Sequence, residues 1–85
     1  MAYRLEVSHT AHHQIRLLQP QTQERINRAI ALLADNPRNP GSKKLTGREG
    51  YRIRVGDYRV LYKIDDAAKL VVIHRVKTRG DAYRI

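Results

Sequence analysis

Two runs of alternating apolar and basic side chains, separated by Gly56–Asp57, constrain the fold more than any other feature of this sequence. A Gly-Asp pair between alternating runs is typical of the two-residue turn of a β-hairpin. Residues 51–55 and 58–64 are therefore predicted to be its two strands. The turn fixes the register, and the predicted pairs are Val55–Tyr58, Arg54–Arg59, Ile53–Val60, Arg52–Leu61 and Tyr51–Tyr62.

One face of this hairpin is apolar and the other is basic, because successive side chains of a strand point to opposite faces. The apolar face is predicted to lie under helices and comprises Tyr51, Ile53, Val55, Tyr58, Val60, Tyr62 and Ile64. The opposite face comprises Arg52, Arg54, Arg59 and Lys63, with Leu61 among them, and contains no acid. Directly opposed like charges such as Arg54 and Arg59 destabilise a sheet by up to ~1 kcal/mol. An anionic ligand would remove that penalty, so the pattern favours an anion-binding surface over a solvated face that is basic by chance.

The rest of the chain predicts one α+β domain over residues 1–85. Alternation over residues 2–7 indicates a first strand, and Ser8 is suited to cap a helix over residues 9–18. Pro20 suits the first turn of a second helix, which ends before Asn36-Pro37. Residues 36–50 hold several Gly and Pro residues and are predicted to be a loop. The order is β-α-α-β-β-β, with a helical hairpin packed on one face of a small antiparallel sheet.

A last strand is predicted over residues 70–78, after a turn at residues 65–69. Its start is apolar in both parities, as in a central strand. If Val72, His74 and Val76 face the helices, then Arg75, Lys77 and Arg79 lie on the basic side of the sheet. The assignment is open, because Val71 and Ile73 share the parity of Arg75.

The charge balance points to a polyanionic partner. The chain has 17 Lys and Arg against 8 Asp and Glu, a net charge of +9, and Arg is the side chain best matched to bidentate phosphate contacts. Nucleic acid is favoured over an anionic membrane surface or a merely soluble basic protein. The absence of cysteine excludes disulfides and thiolate chemistry. The charged N-terminus and short apolar runs predict no signal peptide and no membrane span, hence a cytoplasmic protein.

The sequence resembles the RelE/ParE superfamily of toxins. The resemblance rests on Lys44-Leu45-Thr46-Gly47, on the stretch GYRIRVGDYRVLY over residues 50–62, and on the ending Arg75-Val76-Lys77-Thr78-Arg79-Gly80-Asp81-Ala82-Tyr83-Arg84. It covers nearly the whole chain. The ending is similar to the RelE branch rather than to ParE.

The resemblance implies the toxin of a type II toxin–antitoxin system that enters the ribosomal A site and cleaves messenger RNA. In that reaction the 2′-hydroxyl attacks the adjacent phosphate without a metal or other cofactor. A RelB-like antitoxin would block the basic surface, and the complex would bind its own operator DNA through the antitoxin. The predicted catalytic residues are Arg54, Arg59, Arg79, Tyr83 and Lys77. The predicted RNA-binding residues are Arg52, Lys63, Arg75, Lys43 and Lys44.

The sequence does not decide which group transfers the proton in this reaction. This sequence has Arg52 and Arg54 where well-known RelE members have lysines, and arginine does not deprotonate in proteins. Lys77, Tyr83 or a ribosomal group would then serve. Tyr83 is equally suited to stacking on a base or to packing on the sheet edge. His74 is expected to face the core.

Two other functions remain possible from the sequence. The first is a ParE-like inhibitor of DNA gyrase, which shares the fold but cuts no RNA. The second is a nucleic-acid-binding module without catalytic activity. His9 and His13 are one helical turn apart, but no Asp, Glu or Cys is placed to complete a metal site, so they are predicted to be surface residues.

Overall fold

The computed structural model describes residues 3–78 and contains one sheet with two helices on one of its faces. The bounds of the elements are β1 Arg4–Val7, α1 His9–Arg16, α2 Pro20–Leu33, β2 Ser42–Lys44, β3 Tyr51–Val55, β4 Tyr58–Asp65 and β5 Leu70–Thr78. The predicted α+β class and the helical hairpin are confirmed. Within residues 3–78, neither helix has the length and apolar character needed to cross a membrane.

The sheet has the strand order β1-β5-β4-β3-β2. Strands β3 to β5 pair antiparallel, as predicted, and β2 pairs antiparallel with β3. Strand β1 pairs with β5 in parallel at the edge, so the sheet is not antiparallel throughout as predicted. Strand β2 lies inside the region predicted to be a loop. Its three polar residues lack any apolar alternation, and they are strand because their backbone pairs with β3.

The helices begin where Ser8 and Pro20 predict. The Ser8 hydroxyl accepts a hydrogen bond from the backbone N–H of Ala11 at 3.1 Å, and Pro20 is the first residue of α2. Helix α1 ends at Arg16, two residues before the predicted end. Ser8 also donates from its hydroxyl to the backbone carbonyl of His74 at 3.0 Å, which ties the start of α1 to β5 where β1 ends.

One core fills the space between the helices and the sheet. Its buried members are Ala11 and Ile15 of α1, Ile26, Ile30 and Leu33 of α2, and Ile53, Val60, Tyr62, Val71, Ile73 and Val76 of the sheet. The apolar face predicted for the hairpin therefore does lie under the helices. Tyr62 is fully buried, and its hydroxyl donates to the carbonyl of Pro37 at 2.6 Å.

A cluster that we call the clasp joins the sheet to the segment after α2 and consists of Tyr3, Arg38, Tyr51 and Asp66. Arg38 donates two hydrogen bonds to the Asp66 carboxylate, at 3.1 and 2.9 Å, and a third to the Tyr51 hydroxyl at 3.1 Å. The Tyr3 hydroxyl donates to the same carboxylate at 2.7 Å. These bonds, from Arg38 first and then from Tyr3, lower the pKa of Asp66 to about 2.

Candidate nucleic-acid interface

The sheet surface opposite the helices, here called the basic face, carries most of the cations that the sequence singled out. Strand register places on it Lys43, Arg52, Arg54, Arg59, Lys63, Arg75 and Lys77. This face has no helix over it within the described part of the chain. The cations lie in rows that run across the strands, because paired residues of neighbouring strands lie about 4.8 Å apart.

The outer row, next to the β3–β4 turn, consists of Arg54, Arg59 and Lys77. Arg54 and Arg59 are direct cross-strand partners, and Lys77 is the partner of Arg59 on the other side. The hairpin register predicted from the Gly56–Asp57 turn is confirmed at all five pairs. Gly56 has φ +60°, as the first central residue of a type II′ turn requires.

The middle row consists of Lys43, Arg52, Leu61 and Arg75. Leu61 is only 5% exposed although it lies on the face without helices. Arg52 and Arg75 flank it, and the aliphatic stems of such side chains can cover an apolar neighbour while their charged ends stay in water. The row therefore presents cations around an apolar centre.

A β-bulge in β5 corrects the predicted parity of that strand. Ile73 pairs with Tyr62 and Arg75 pairs with Leu61, so His74 is an extra residue without a partner in β4. Val71 and Ile73 are buried in the core, and Val72, next to Lys63, lies on the basic face. The prediction that Val72 and His74 face the helices was wrong, whereas Val76, Arg75 and Lys77 lie where expected because the bulge reverses the alternation.

The cations of the basic face are not neutralised by acids of the described chain. Among residues 3–78, Arg52, Arg54, Arg59, Arg75 and Lys77 form no ion pair within 4.0 Å. Lys63 has a pair with Glu49 at 3.9 Å, but both side chains are more than half exposed, so the pair is weak. Partial burial, followed by the charges of Arg54 and Arg59, lowers the pKa of Arg52. Its guanidinium stays protonated nonetheless.

A shallow cavity of about 80 Å³ lies at the hairpin turn and is lined by Arg54, Asp57, Tyr58 and Arg59, with Gly56. Arg25 of α2 also reaches this turn, since a Cβ built on Gly56 would be 3.4 Å from its guanidinium nitrogens. No periodic signal links a helix residue to a turn 31 positions later, so this approach could not be predicted from the sequence.

Some predicted residues do not join the rows. Lys44 pairs with Tyr51, so its side chain has the parity opposite to that of Lys43. Arg79 and Tyr83 lie outside the described residues. His74, assigned to the core from the sequence, is half-buried and lies among cations of the basic face, because Lys63, Arg48, Arg75 and Lys77 all act on its imidazole. Apolar residues in both parities of β5 were a signal that the alternation must break, although they did not show where.

The arrangement suits an extended polyanion. Guanidinium and ammonium groups in parallel rows can each contact a phosphate, and the strand spacing brings several onto one stretch of backbone. Groups held on paired strands are also oriented before a ligand arrives. Such orientation allows them to stabilise charge that develops during a reaction at phosphorus.

Comparison with protein families gives one match over most of the chain. The model described as "ParE toxin of type II toxin-antitoxin system, parDE" matches residues 5–83. The comparison with curated proteins gave no significant match.

Solved structures with the same fold come from bacteria and archaea. The archaeal RelE–RelB complex of Pyrococcus horikoshii has a chain that is 28% identical, with a TM-score of 0.84 over 94% of this chain and 98% of that one. The RelBE2 toxin–antitoxin complex of Mycobacterium tuberculosis gives 29% identity and a TM-score of 0.82 over 93% and 100%. The intact Escherichia coli RelBE complex gives 25% identity and a TM-score of 0.80 over 91% and 96%.

Proposed function

We propose, from the premise that this chain belongs to the ParE toxin family of type II toxin–antitoxin systems, that it acts by cutting messenger RNA in the ribosomal A site. The observation that carries the proposal is the outer row. Arg54 and Arg59 are direct cross-strand partners, Lys77 adjoins them, and none has an acidic partner among residues 3–78. A fold gains no stability from opposed like charges, whereas a phosphodiester bound between them is held by both.

The proposed reaction is an attack of the RNA 2′-oxygen on the adjacent phosphorus. The 2′-O–P bond forms, the bond from phosphorus to the 5′-oxygen breaks, and the products are a cyclic phosphate and a 5′-hydroxyl. Negative charge builds on the non-bridging oxygens, and preorganised cations such as Arg54 and Arg59 stabilise it. Arg79 is proposed to join them from the segment after β5. Lys77 and Tyr83 are proposed to handle protons, with base stacking as a second role for Tyr83.

The remaining cations of the basic face are proposed to hold the RNA backbone. Arg52, Arg75, Lys63 and Lys43 lie beside the outer row in the same plane. Backbone contacts of this kind position RNA without reading its sequence. Lys44 is left out of this surface, because its register directs it to the other side of the sheet.

A cognate antitoxin is the proposed protein partner. The Pyrococcus, Mycobacterium and Escherichia relatives are toxin–antitoxin complexes with RelB-type antitoxins. We infer that a RelB-like antitoxin covers the basic face of this chain in the cytoplasm and links the complex to operator DNA. An acidic or amphipathic segment would complement a toxin with a net charge of +9.

Inhibition of DNA gyrase is the second candidate, favoured by the family model, whose description names ParE. The two candidate functions differ in which cellular process is inhibited first. An RNA-cleaving toxin halts translation and leaves cut messages, whereas a gyrase inhibitor induces DNA-damage signalling and spares translation. A binding module without activity would not affect growth.

The test is controlled expression of the toxin without its antitoxin, with primer extension on abundant messages. We expect growth arrest and 5′ ends within translated frames. Arg59→Ala or Arg79→Ala should restore growth with the fold intact. DNA-damage signalling without cut messages would replace the proposal by gyrase inhibition, and toxicity that survives both substitutions together would refute the site.

A further inference from the structure

His74 is the one imidazole that the described chain places on the basic face. The three other histidines, His9, His12 and His13, lie on α1, which packs on the opposite side of the sheet. His74 occupies the β5 bulge, beside the middle row and opposite the junction of Leu61 and Tyr62. Bulges are frequent next to active sites because they redirect a side chain.

The Nε2 atom of His74 is buried and has no hydrogen-bond partner among residues 3–78. Buried polar atoms are almost always paired in folded proteins, so an unpaired one requires an explanation. The backbone carbonyl of His74 accepts a hydrogen bond from the Ser8 hydroxyl at 3.0 Å. The missing partner concerns the imidazole alone. Because Nε2 is buried, a ligand hydroxyl would supply it by displacing the side chains that cover this atom.

The surroundings favour the neutral form of this imidazole in the free protein. Burial lowers the pKa of His74 below its ordinary value of 6.5, and the charges of Lys63, Arg48, Arg75 and Lys77 lower it further. These cations come from β4, from the loop before β3 and from β5 itself. Glu49 contacts Lys63, one of these four cations, at 3.9 Å. A neutral imidazole can accept a proton, whereas the Lys and Arg side chains that residues 3–78 place on this face are cations.

We propose that His74 is the general base of the cleavage reaction, an inference that rests on the proposed function. Its Nε2 accepts the proton of the 2′-hydroxyl while the 2′-oxygen bonds to phosphorus. The 5′-oxygen leaves phosphorus and takes a proton from the Lys77 ammonium. His74 ends as a cation and Lys77 as a neutral amine, and solvent returns both to their starting states.

Binding of the substrate makes His74 a stronger base. Bound phosphates offset the four cations around His74, so RNA binding raises the proton affinity of the imidazole toward neutral pH. A base is most effective when its pKa is close to the pH of the reaction. The same coupling makes the protonated base more stable as charge builds on phosphorus.

The experiment is single-turnover cleavage by purified toxin on 70S ribosomes programmed with messenger RNA, measured from pH 5 to pH 9. For His74→Gln we expect a loss of about 100-fold at pH 7.5, the usual size of a general-base contribution. The wild-type rate should rise with pH through the pKa of His74, and this acidic limb should be absent in the variant. Binding of an RNA with a 2′-deoxy nucleotide at the cleavage site should change less than about twofold, since phosphate contacts with the arginines remain. His13→Gln, on exposed α1, is the matched control and should behave as wild type.

Separate outcomes test the base and the function. If wild-type protein cuts the message and His74→Gln cuts it equally well with an unchanged pH profile, His74 is not the base and the nuclease stands. Equal losses of cleavage and of binding would assign His74 a structural role and reject the inference. Wild-type protein that cuts nothing at any pH would reject the function and the base together. An NMR titration of the His74 ring gives an independent check, because its pKa must rise when the 2′-deoxy RNA binds; an unchanged value would overturn the inference.

Discussion

The clasp and the outer row both contain arginine, and they differ in whether the chain supplies a counter-charge. Arg38 of the clasp makes three hydrogen bonds, two of them to the Asp66 carboxylate. Arg54 and Arg59 of the outer row face each other and have no acidic partner among residues 3–78. The clasp uses charge to hold elements together, whereas the outer row leaves its charge for a ligand. Substitutions in the two groups should therefore change different measured quantities.

Removal of one guanidinium from the outer row is expected to give the largest effect. Arg59→Ala should lower single-turnover cleavage about 100- to 1,000-fold, because one preorganised donor to the developing charge is lost. The free energy of unfolding in urea should stay the same or rise by up to ~1 kcal/mol, since the like-charge pair with Arg54 disappears. Arg28→Ala is the control, because Arg28 is exposed on α2 and pairs with Glu24 at 3.2 Å. A clear loss of stability in Arg59→Ala would show that this arginine holds the fold.

The pairing of Arg54 with Arg59 in the outer row could be predicted from the sequence, because a two-residue turn fixes which residues of its two strands are paired. Gly56–Asp57 sets the register of the hairpin, and the register alone puts Arg54 opposite Arg59. The starts of the two helices could be predicted for the same reason, since Ser8 and Pro20 act through their immediate neighbours. Local chemistry with one dominant geometry can be read from one sequence.

The clasp and the β5 bulge could not be predicted from the sequence. Arg38 and Asp66 lie in a loop and a turn, 28 residues apart, and no periodicity links them. The bulge at His74 interrupts a strand that is apolar in both parities, so the side-chain pattern fits either register. Strand β2 consists of polar residues that pair through their backbone with β3. Each of these features depends on partners distant in sequence, and these partners are known only once the sheet is assembled.

Removal of one buried hydroxyl near the clasp should lower the free energy of unfolding. Tyr62→Phe removes the hydrogen bond to the carbonyl of Pro37 and leaves that acceptor without its partner. The expected loss in the free energy of unfolding is about 1–3 kcal/mol. Stacking with Tyr51, whose ring centroid is 5.9 Å away, is retained by the phenyl ring. Tyr58→Phe, at the other end of β4, should change stability by less than ~0.5 kcal/mol. Equal effects of the two substitutions would argue against the buried bond as a source of stability.

Acid should weaken the clasp and leave the arginines of the basic face charged, because arginine stays protonated. The folded-state pKa of Asp66 is about 2, below its ordinary value of 3.8. A carboxyl group with a lowered pKa stabilises the fold above its unfolded-state pKa, and this contribution is lost as pH falls through the folded-state value. Wild-type stability should therefore decline between about pH 4 and pH 2. Asp66→Asn should be less stable than wild type at pH 7 and lack this part of the decline, whereas Asp57→Asn in the hairpin turn should retain it. Melting curves across that range would decide, and identical slopes for wild type and Asp66→Asn would exclude the clasp as the source.

The adjacent residues Lys43 and Lys44 offer the finest test of the surface, because one step along β2 moves a side chain to the other side of the sheet. Lys43 pairs with Arg52 of the middle row, and Lys44 pairs with Tyr51. Each phosphate contact to single-stranded RNA adds about 0.7 to the slope of log affinity against log salt. Lys43→Ala should thus weaken binding of an RNA with a 2′-deoxy nucleotide at the cleavage site a few-fold and reduce that slope by about 0.7. Lys44→Ala should leave both the affinity and the slope unchanged. Equal effects would mean that RNA follows the β2 edge instead of crossing the rows, and the surface would have to be redrawn around that edge.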